Sequence, residues 1–354
     1  MISTLAIAAL VVALLLLAGM AYQRLGTARD LRRHPPPGRM IDIGGCRLHL
    51  LEKGKNHPTV VFESGLPGSV LSWSLVQEEL SRLVRTVAYD RAGLGWSDPG
   101  PEPRSAESVT SELRLLLARA GVAPPYILVG HSFGGLTCRL YASRYPDEVA
   151  ALVLLDPVGA SEWFPLSERE KRRLEAGAKL CRRTALLARF GVTRLVGLLA
   201  RIGAVRMAKM AVRWISAGQM ADAGSAVSPL TKLPAGERSI VRTFWVQAKF
   251  YEAMAGQIAA LPESAAQMAR AGDRLEAKPV VVISARNTAP GRLAEQLSIV
   301  RLSSRGRHLV AHSSGHWIQL DDPELVTGII LEVIAELGRP SGRGSGSPAS
   351  SLVH

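Results

Sequence analysis

The sequence predicts an α/β protein: a mostly parallel, doubly wound sheet, interrupted by a helical insertion and preceded by one apolar helix. Three observations carry this. Strand-like apolar runs alternate with helical patterns through residues 38–157 and again through 279–338, the mark of successive βαβ units. The alternation stops over residues 158–278, a long, basic, Leu/Ala/Met-rich stretch of mostly helical pattern. Residues 1–23 carry no charged side chain, and 5–22 are nearly all aliphatic, about the length a helix needs to span a bilayer.

In chain order, 40–43 and 47–52 read as a hairpin around Gly44-Gly45, followed by strands at 59–63, 85–90, 126–130, 150–155, 279–284 and 307–311. Helical patterns fall between them. One covers 108–120 and is closed by Gly121; another covers 135–145 and is stopped by Pro146; a last one covers 323–336. In an open sheet of this kind, ligand chemistry belongs at the carboxyl ends of the strands.

Gly130-His131-Ser132-Phe133-Gly134 sits between the apolar run 126–129 and a helical stretch. A serine hydroxyl attacks a carbonyl only when it is held out of the fold beside a base, and a tight strand-to-helix turn does this at the expense of backbone strain. The glycines fit because side chains two residues either side of the serine would collide. Ser132 is the candidate nucleophile. Ser313-Ser314-Gly315-His316-Trp317, a small-residue loop after the strand 307–311, offers His316 as general base. The strand 59–63 runs into Ser64-Gly65-Leu66-Pro67-Gly68, a turn suited to presenting backbone N–H groups. The N–H of Leu66 and that of Phe133 would form the oxyanion hole.

Together with Tyr89-Asp90-Arg91-Ala92-Gly93-Leu94-Gly95-Trp96-Ser97 and the strand leading into Ser64-Gly65, these runs resemble the α/β-hydrolase superfamily, in its lid-bearing serine esterase and epoxide-hydrolase-like branch. The resemblance covers residues 36–338 and is thin over 158–278, where the family inserts its lid. It implies an α/β-hydrolase fold and no metal or organic cofactor. A serine at the elbow argues against the dehalogenase and epoxide hydrolase chemistries, which rely on an aspartate there. One departure stands out: relatives often carry His-Gly-x-Pro at the oxyanion turn, and this chain has Ser64-Gly65-Leu66-Pro67.

The third triad member is less direct. Many relatives place the acid after the strand that follows the lid, but here Ala285-Arg286-Asn287-Thr288 offers no carboxylate. Asp156, after the preceding strand, is the expected acid, with Asn287 as the alternative orienting group; a capping role at the entry to the lid is the bland reading of Asp156. His131 and Trp73 are expected to pack against or line the substrate pocket. Asp90-Arg91 reads as loop-fixing, Glu63 as a group that hydrogen-bonds the oxyanion turn, and His312 as structural. Cys46, Cys138 and Cys181 are widely spaced and suggest neither a disulfide framework nor a zinc site.

The expected organisation is a transmembrane anchor (1–23), a basic juxtamembrane linker (24–37), core (38–157), lid (158–278), core (279–338) and a disordered Gly/Ser/Pro-rich tail (339–354). A cleaved signal peptide is the rival to the anchor, but such peptides carry a basic start that Met-Ile-Ser-Thr lacks. Arg24, Arg29, Arg32 and Arg33 follow the apolar run. By the positive-inside rule they place the catalytic domain in the cytoplasm of a single-pass protein. The net charge of +13 comes with no nucleic-acid-binding motif, so an anionic membrane is the expected partner and nucleic acid is not. Within 201–214 the basic residues fall on one helical side, as in a helix lying on apolar material or dipping into a leaflet. The expected reaction is hydrolysis of a carboxylic ester, lipid-like in the sharper reading, through an acyl-enzyme. A ligand-binding relative with little turnover and an acyltransferase with an alcohol acceptor are the alternatives.

Overall fold

The structure is a computed structural model and describes residues 2–201, 231–272 and 274–339. One eight-stranded sheet organises it, in the order β1-β2-β4-β3-β5-β6-β7-β8. β1 (Arg39–Asp42) and β2 (Arg47–Lys53) form an antiparallel hairpin, and β2 pairs antiparallel with β4 (Arg85–Tyr89). All other pairings are parallel: β4 with β3 (Thr59–Glu63), then β5 (Tyr126–His131), β6 (Val149–Leu155), β7 (Val280–Ala285) and β8 (Gly306–Ala311). Every expected strand is present within one residue at either end.

The central strands are apolar on both sides because helices cover both faces. Val60, Phe62, Ile127, Val129, Val281 and Ile283 join a cluster with Val76 and Leu80 of α2 (Ser74–Leu80) and with Val326, Ile330 and Val333 of the C-terminal helix. Their strand neighbours Val61, Leu128, Val280 and Val282 point the other way. There they meet Leu113, Leu116 and Leu117 of α3 (Ala106–Ala120), Cys138 and Tyr141 of α4 (Phe133–Arg144), and Ile299. Both observed helices begin about two residues before their expected starts.

The lid follows β6 as α5 (Glu168–Arg189), α6 (Val192–Arg201), α7 (Ala235–Phe244), α8 (Ala248–Ala259) and α9 (Leu261–Ala271). It is pinned to the core by bonds that satisfy otherwise orphaned backbone groups. Ser264 Oγ and Gln267 Oε1 on α9 each accept a first-turn N–H of α3, from Ala106 and Glu107, both at 2.9 Å. Lys249 on α8 donates to the carbonyls of Gly95 and Ser97, both at 2.8 Å. The expected amphipathic helix at 201–214 lies outside the described residues apart from Arg201, and the tail lies outside them beyond Arg339. β7 leads into α10 (Pro290–Val300), and β8 into a short helix α11 (Ile318–Asp321) and α12 (Pro323–Leu337).

The N-terminal helix α1 runs unbroken over Ile2–Arg33, which corrects the expectation of a linker beginning at residue 24. Its first half exposes apolar side chains, among them Leu5, Leu10, Val12 and Leu15. Its second half packs on the lid. A Cβ on Gly19 would lie 2.5 Å from the carbonyl oxygen of Phe190, so helix and lid touch backbone to backbone. Gln23 donates to the Val246 carbonyl at 3.0 Å, and Arg194 reaches Asp30 at 2.6 Å. Beyond the helix, the carbonyl of His34 accepts from Trp96 Nε1 at 3.0 Å, and that of Pro37 bonds His49. Residues 24–37 therefore belong to the folded body.

Candidate active site

Ser132 closes β5 and opens α4 with φ +53° and ψ −118°, outside the regions L residues favour. The flanking glycines permit this. A Cβ on Gly130 would sit 2.5 Å from the Gly134 carbonyl oxygen, and one on Gly134 would sit 2.3 Å from that of Glu63. The turn is fixed to the neighbouring strand by Ser132 N–H donating to the Leu155 carbonyl at 2.9 Å.

Asp156 follows β6 with a positive φ of 38°, held there by its N–H donating to the Ile283 carbonyl at 2.7 Å. Its carboxylate is 3% exposed as a residue and fully used. Oδ2 accepts from His316 Nδ1 at 2.6 Å, and Oδ1 accepts from Thr288 Oγ1 at 2.8 Å and Gln296 Nε2 at 2.9 Å. Burial raises the carboxyl's pKa, but the bonds from His316, Gln296 and Thr288 outweigh it and hold the group well below the usual carboxylate range. A carboxylate on Nδ1 keeps the proton there and leaves Nε2 of His316 as the base nitrogen. Asn287, the alternative orienting residue, lines the adjacent cleft but makes no hydrogen bond to His316 among the described residues. Its neighbour Thr288 contributes instead, through Asp156.

The turn after β3, the candidate oxyanion turn, closes against Ser132: a Cβ on Gly65 would lie 2.9 Å from Ser132 Cβ. Gly68 N–H donates to the Gly65 carbonyl at 2.8 Å, a four-residue turn whose own bond leaves the Leu66 N–H without a partner among the described residues. Phe133 is the first residue of α4, so its N–H has no intrahelical acceptor. Ser64, the residue before Gly65, is buried, accepting from Trp73 Nε1 at 3.0 Å and donating to the Ser69 carbonyl at 3.1 Å.

Trp73 and His131, expected to pack against or line the pocket, are both buried and packed. Trp73 is 1% exposed and stacks on Phe62 with ring centroids 4.8 Å apart, and its bond to Ser64 braces the turn after β3 from the core. His131 is fully buried and donates Nε2–H to the carbonyl of His316 at 2.7 Å, its ring 4.7 Å from those of both His316 and Trp317. Burial, aided by the nearby His316, pushes its pKa down to about 3, so it stays neutral and fixes the histidine loop. Among the described residues Glu63 makes no hydrogen bond to the turn after β3. Its carboxyl accepts from the Tyr89 hydroxyl, and the turn is held by Arg91, whose Nη2 donates to the Gly65 carbonyl at 2.6 Å.

A cleft of about 540 Å³ opens on the acid side of His316, lined in part by Asp156, Glu162, Asn287 and Arg292. Arg292 grips Glu162 through two bonds, of 2.9 and 2.7 Å. Among the described residues no cluster of three or more His, Cys, Asp or Glu side chains is placed to hold a metal ion.

A family model described as alpha/beta hydrolase fold matches residues 58–323, a span that takes in the sheet from before β3, the elbow, Asp156 and His316. The chain belongs to the alpha/beta hydrolase fold family. Its relatives include the Bacillus subtilis protein YqjL, 36% identical over 116 residues that make up 32% of this chain and 46% of that protein. Another is 2-hydroxymuconate semialdehyde hydrolase of Pseudomonas sp. CF600, 32% identical over 136 residues, 38% of this chain and 47% of that one. The chain thus spans less than half the length of these curated relatives. Among solved structures, an esterase of Thermogutta terrifontis aligns with a TM-score of 0.59 at 19% identity, covering 83% of this chain and 95% of that one; at that identity the likeness speaks for the hydrolase fold alone.

Within that fold the sequence did not single out Thr288, Gln296 or Arg91 for the roles the structure gives them. Gln296 lies in an ordinary helix and Thr288 in a loop, with no spacing that ties either to Asp156. Arg91 was legible only as part of a loop-fixing pair.

Proposed function

We propose that this chain is a membrane-anchored serine hydrolase that cleaves a carboxylic ester through an acyl-enzyme intermediate. One observation carries the reading: a serine strained at an elbow whose preceding residue, His131, bonds and packs on His316, the histidine whose Nδ1 is bonded to the buried carboxylate of Asp156. Among the described residues no hydrogen bond joins Ser132 Oγ to His316, so the proton path closes as the Michaelis complex forms, a common behaviour of such sites.

His316 Nε2 takes the Ser132 proton as Oγ attacks the ester carbonyl, and the N–H groups of Leu66 and Phe133 receive the oxyanion. Collapse expels the alcohol, which takes the proton from His316, and leaves the acyl group on Ser132. Water then attacks the acyl carbon, giving its proton to His316, and the second collapse returns that proton to Oγ and releases the acid. Asp156 stays ionised throughout and stabilises the imidazolium.

The location follows from α1. Its Thr4–Arg33 segment is long and apolar enough to cross a bilayer, with mean hydropathy 2.6 and none of that window buried. Water contact for so much aliphatic surface is costly, and the basic flank favours a cytoplasmic catalytic domain. Exposed Phe164, Leu186, Leu195 and Leu198 on the lid side suit a substrate that partitions into lipid.

The test is labelling of the full-length protein in detergent by a fluorophosphonate probe, beside Ser132→Ala, with p-nitrophenyl esters of rising chain length as competitors. Labelling lost in the variant supports an activated serine, and best competition by long chains supports the lipid-like substrate. A folded wild type that is not labelled removes the hydrolase reading and leaves a ligand-binding one.

A further inference from the structure

Arg91 is buried to 2% exposure, a position a guanidinium rarely takes without a task. Its contacts converge on the two halves of the oxyanion hole. Nη2 donates to the Gly65 carbonyl at 2.6 Å, and the guanidinium carbon stands 5.3 Å from the ring centroid of Phe133, within cation–π range. The only carboxylate beside it, among the described residues, is Glu63, with Oε1 3.6 Å from Nη1, too long for a hydrogen bond. Nε and Nη1 have no hydrogen-bond partner there, nor has Glu63 Oε1. Glu63 thus faces Arg91 as a charge contact without a hydrogen bond, while the bond to Gly65 is short and made by a permanently charged donor.

That bond acts on the hole through the peptide group. The Gly65 carbonyl and the Leu66 N–H belong to one planar amide, joined by resonance across the C–N bond. A cation on the oxygen draws electron density along the amide and makes the N–H a stronger donor, the polarisation that links hydrogen bonds in series. Arg91 also fixes where the donor points. Gly65 has no side chain to hold it, and its place against Ser132 Cβ leaves no room for one.

We propose that Arg91 is a positioning residue of the oxyanion hole, which orients and polarises the Gly65–Leu66 peptide from beneath so that Leu66 N–H binds the transition state more strongly than the ground-state ester. The proposal rests on the serine-hydrolase reading. It separates two quantities a purely structural arginine would move together: affinity for a tetrahedral oxyanion and affinity for an unreacted substrate.

The experiment compares full-length wild type, Arg91→Met and Arg91→Lys, each first shown folded by its thermal melt. It reads kcat and KM on a p-nitrophenyl ester, inhibition by an aryl trifluoromethyl ketone that adds to the serine, and inhibition by the ether isostere of the substrate, which cannot. For Arg91→Met the expected result is a fall in kcat of roughly 10- to 100-fold, less than removal of a direct oxyanion donor. Ketone affinity should weaken by a similar factor, with KM and ether affinity within about threefold. Arg91→Lys, which keeps a charge that can reach Gly65, should recover part of both losses. Equal loss of ketone and ether affinity, or a folded Arg91→Met with near-normal kcat, overturns the proposal; if Arg91→Met does not fold, Arg91→Lys is judged by the same split between ketone and ether. Failure of the underlying reading looks different: a wild type that neither turns over ester nor captures the fluorophosphonate.

Discussion

Asp156 Oδ2 and His316 Nδ1 stand 2.6 Å apart, although 160 residues and the whole lid separate them in the chain. The carboxylate reaches the imidazole from the end of β6, two strands from β8, whose following loop supplies the histidine. Thr288 and Gln296, which follow the intervening strand β7, fill the gap by bonding the other carboxylate oxygen. The β7 end, empty of a carboxylate, thus still contributes by aiming the one from β6.

Asp156→Asn should lower kcat by about 10³- to 10⁴-fold on an ester substrate. An amide that keeps its oxygen toward Thr288 and Gln296 presents an N–H₂ to His316 and selects the wrong tautomer. The thermal midpoint should move little, since the replacement is nearly isosteric. Turnover within tenfold of wild type would remove Asp156 from the mechanism.

Much of this was legible in the sequence. Strand positions were readable because the runs around Val60, Leu128, Leu152 and Val281 are apolar on both faces, as buried parallel strands must be. The turns at Ser132, Leu66 and His316 were readable because each is a local arrangement of small residues at the end of a strand. What was not readable depends on contacts between distant segments. Arg91 acts on a carbonyl 26 residues away, Gln296 on a carboxylate 140 residues away, and neither leaves a periodic or spaced signal. For Trp73 and His131, whether a ring lines a pocket or braces its wall depends on partners such as Ser64 and the His316 carbonyl, which no local pattern announces. The extent of α1 was missed because charged residues after 23 look like a linker until Asp30 is seen against Arg194.

Glu63 gives a stability signature that depends on pH. Burial drives its pKa up from 4.5 to about 7, against the opposing pull of Arg91 and the Tyr89 hydroxyl. A carboxyl that holds its proton more tightly when folded stabilises the native state below its unfolded pKa. That contribution is lost as pH rises from near 4.5 through about 7. Glu63→Gln, which can still accept from Tyr89, removes the titration. The difference in melting temperature between variant and wild type should therefore grow in the variant's favour across that window and level off above it, with each pKa unit worth about 1.4 kcal/mol. A difference independent of pH would show that Glu63 has an ordinary pKa in the folded protein.

The contact between α1 and the lid can be weighed against an ion pair that should matter little. Arg194 and Asp30 are 13% and 18% exposed at their side chains, whereas Arg189 and Glu252 are 62% and 39% exposed. Removing one partner of the first pair leaves a half-desolvated charge, at about 1–3 kcal/mol; removing one of the second costs at most about 1 kcal/mol. Arg194 also bonds Gln23 and Thr27, at 3.1 and 3.4 Å, so its loss frees the second half of α1 from α6. In detergent, Arg194→Met should lower the melting temperature by several degrees and expose residues 24–37 to protease, while Arg189→Met should do neither. Equal and small effects of both would mean that α1 is a tether and that the lid is held by the core alone. The larger effect would mean that the apolar N-terminal helix and the helical insertion after β6 move as one body.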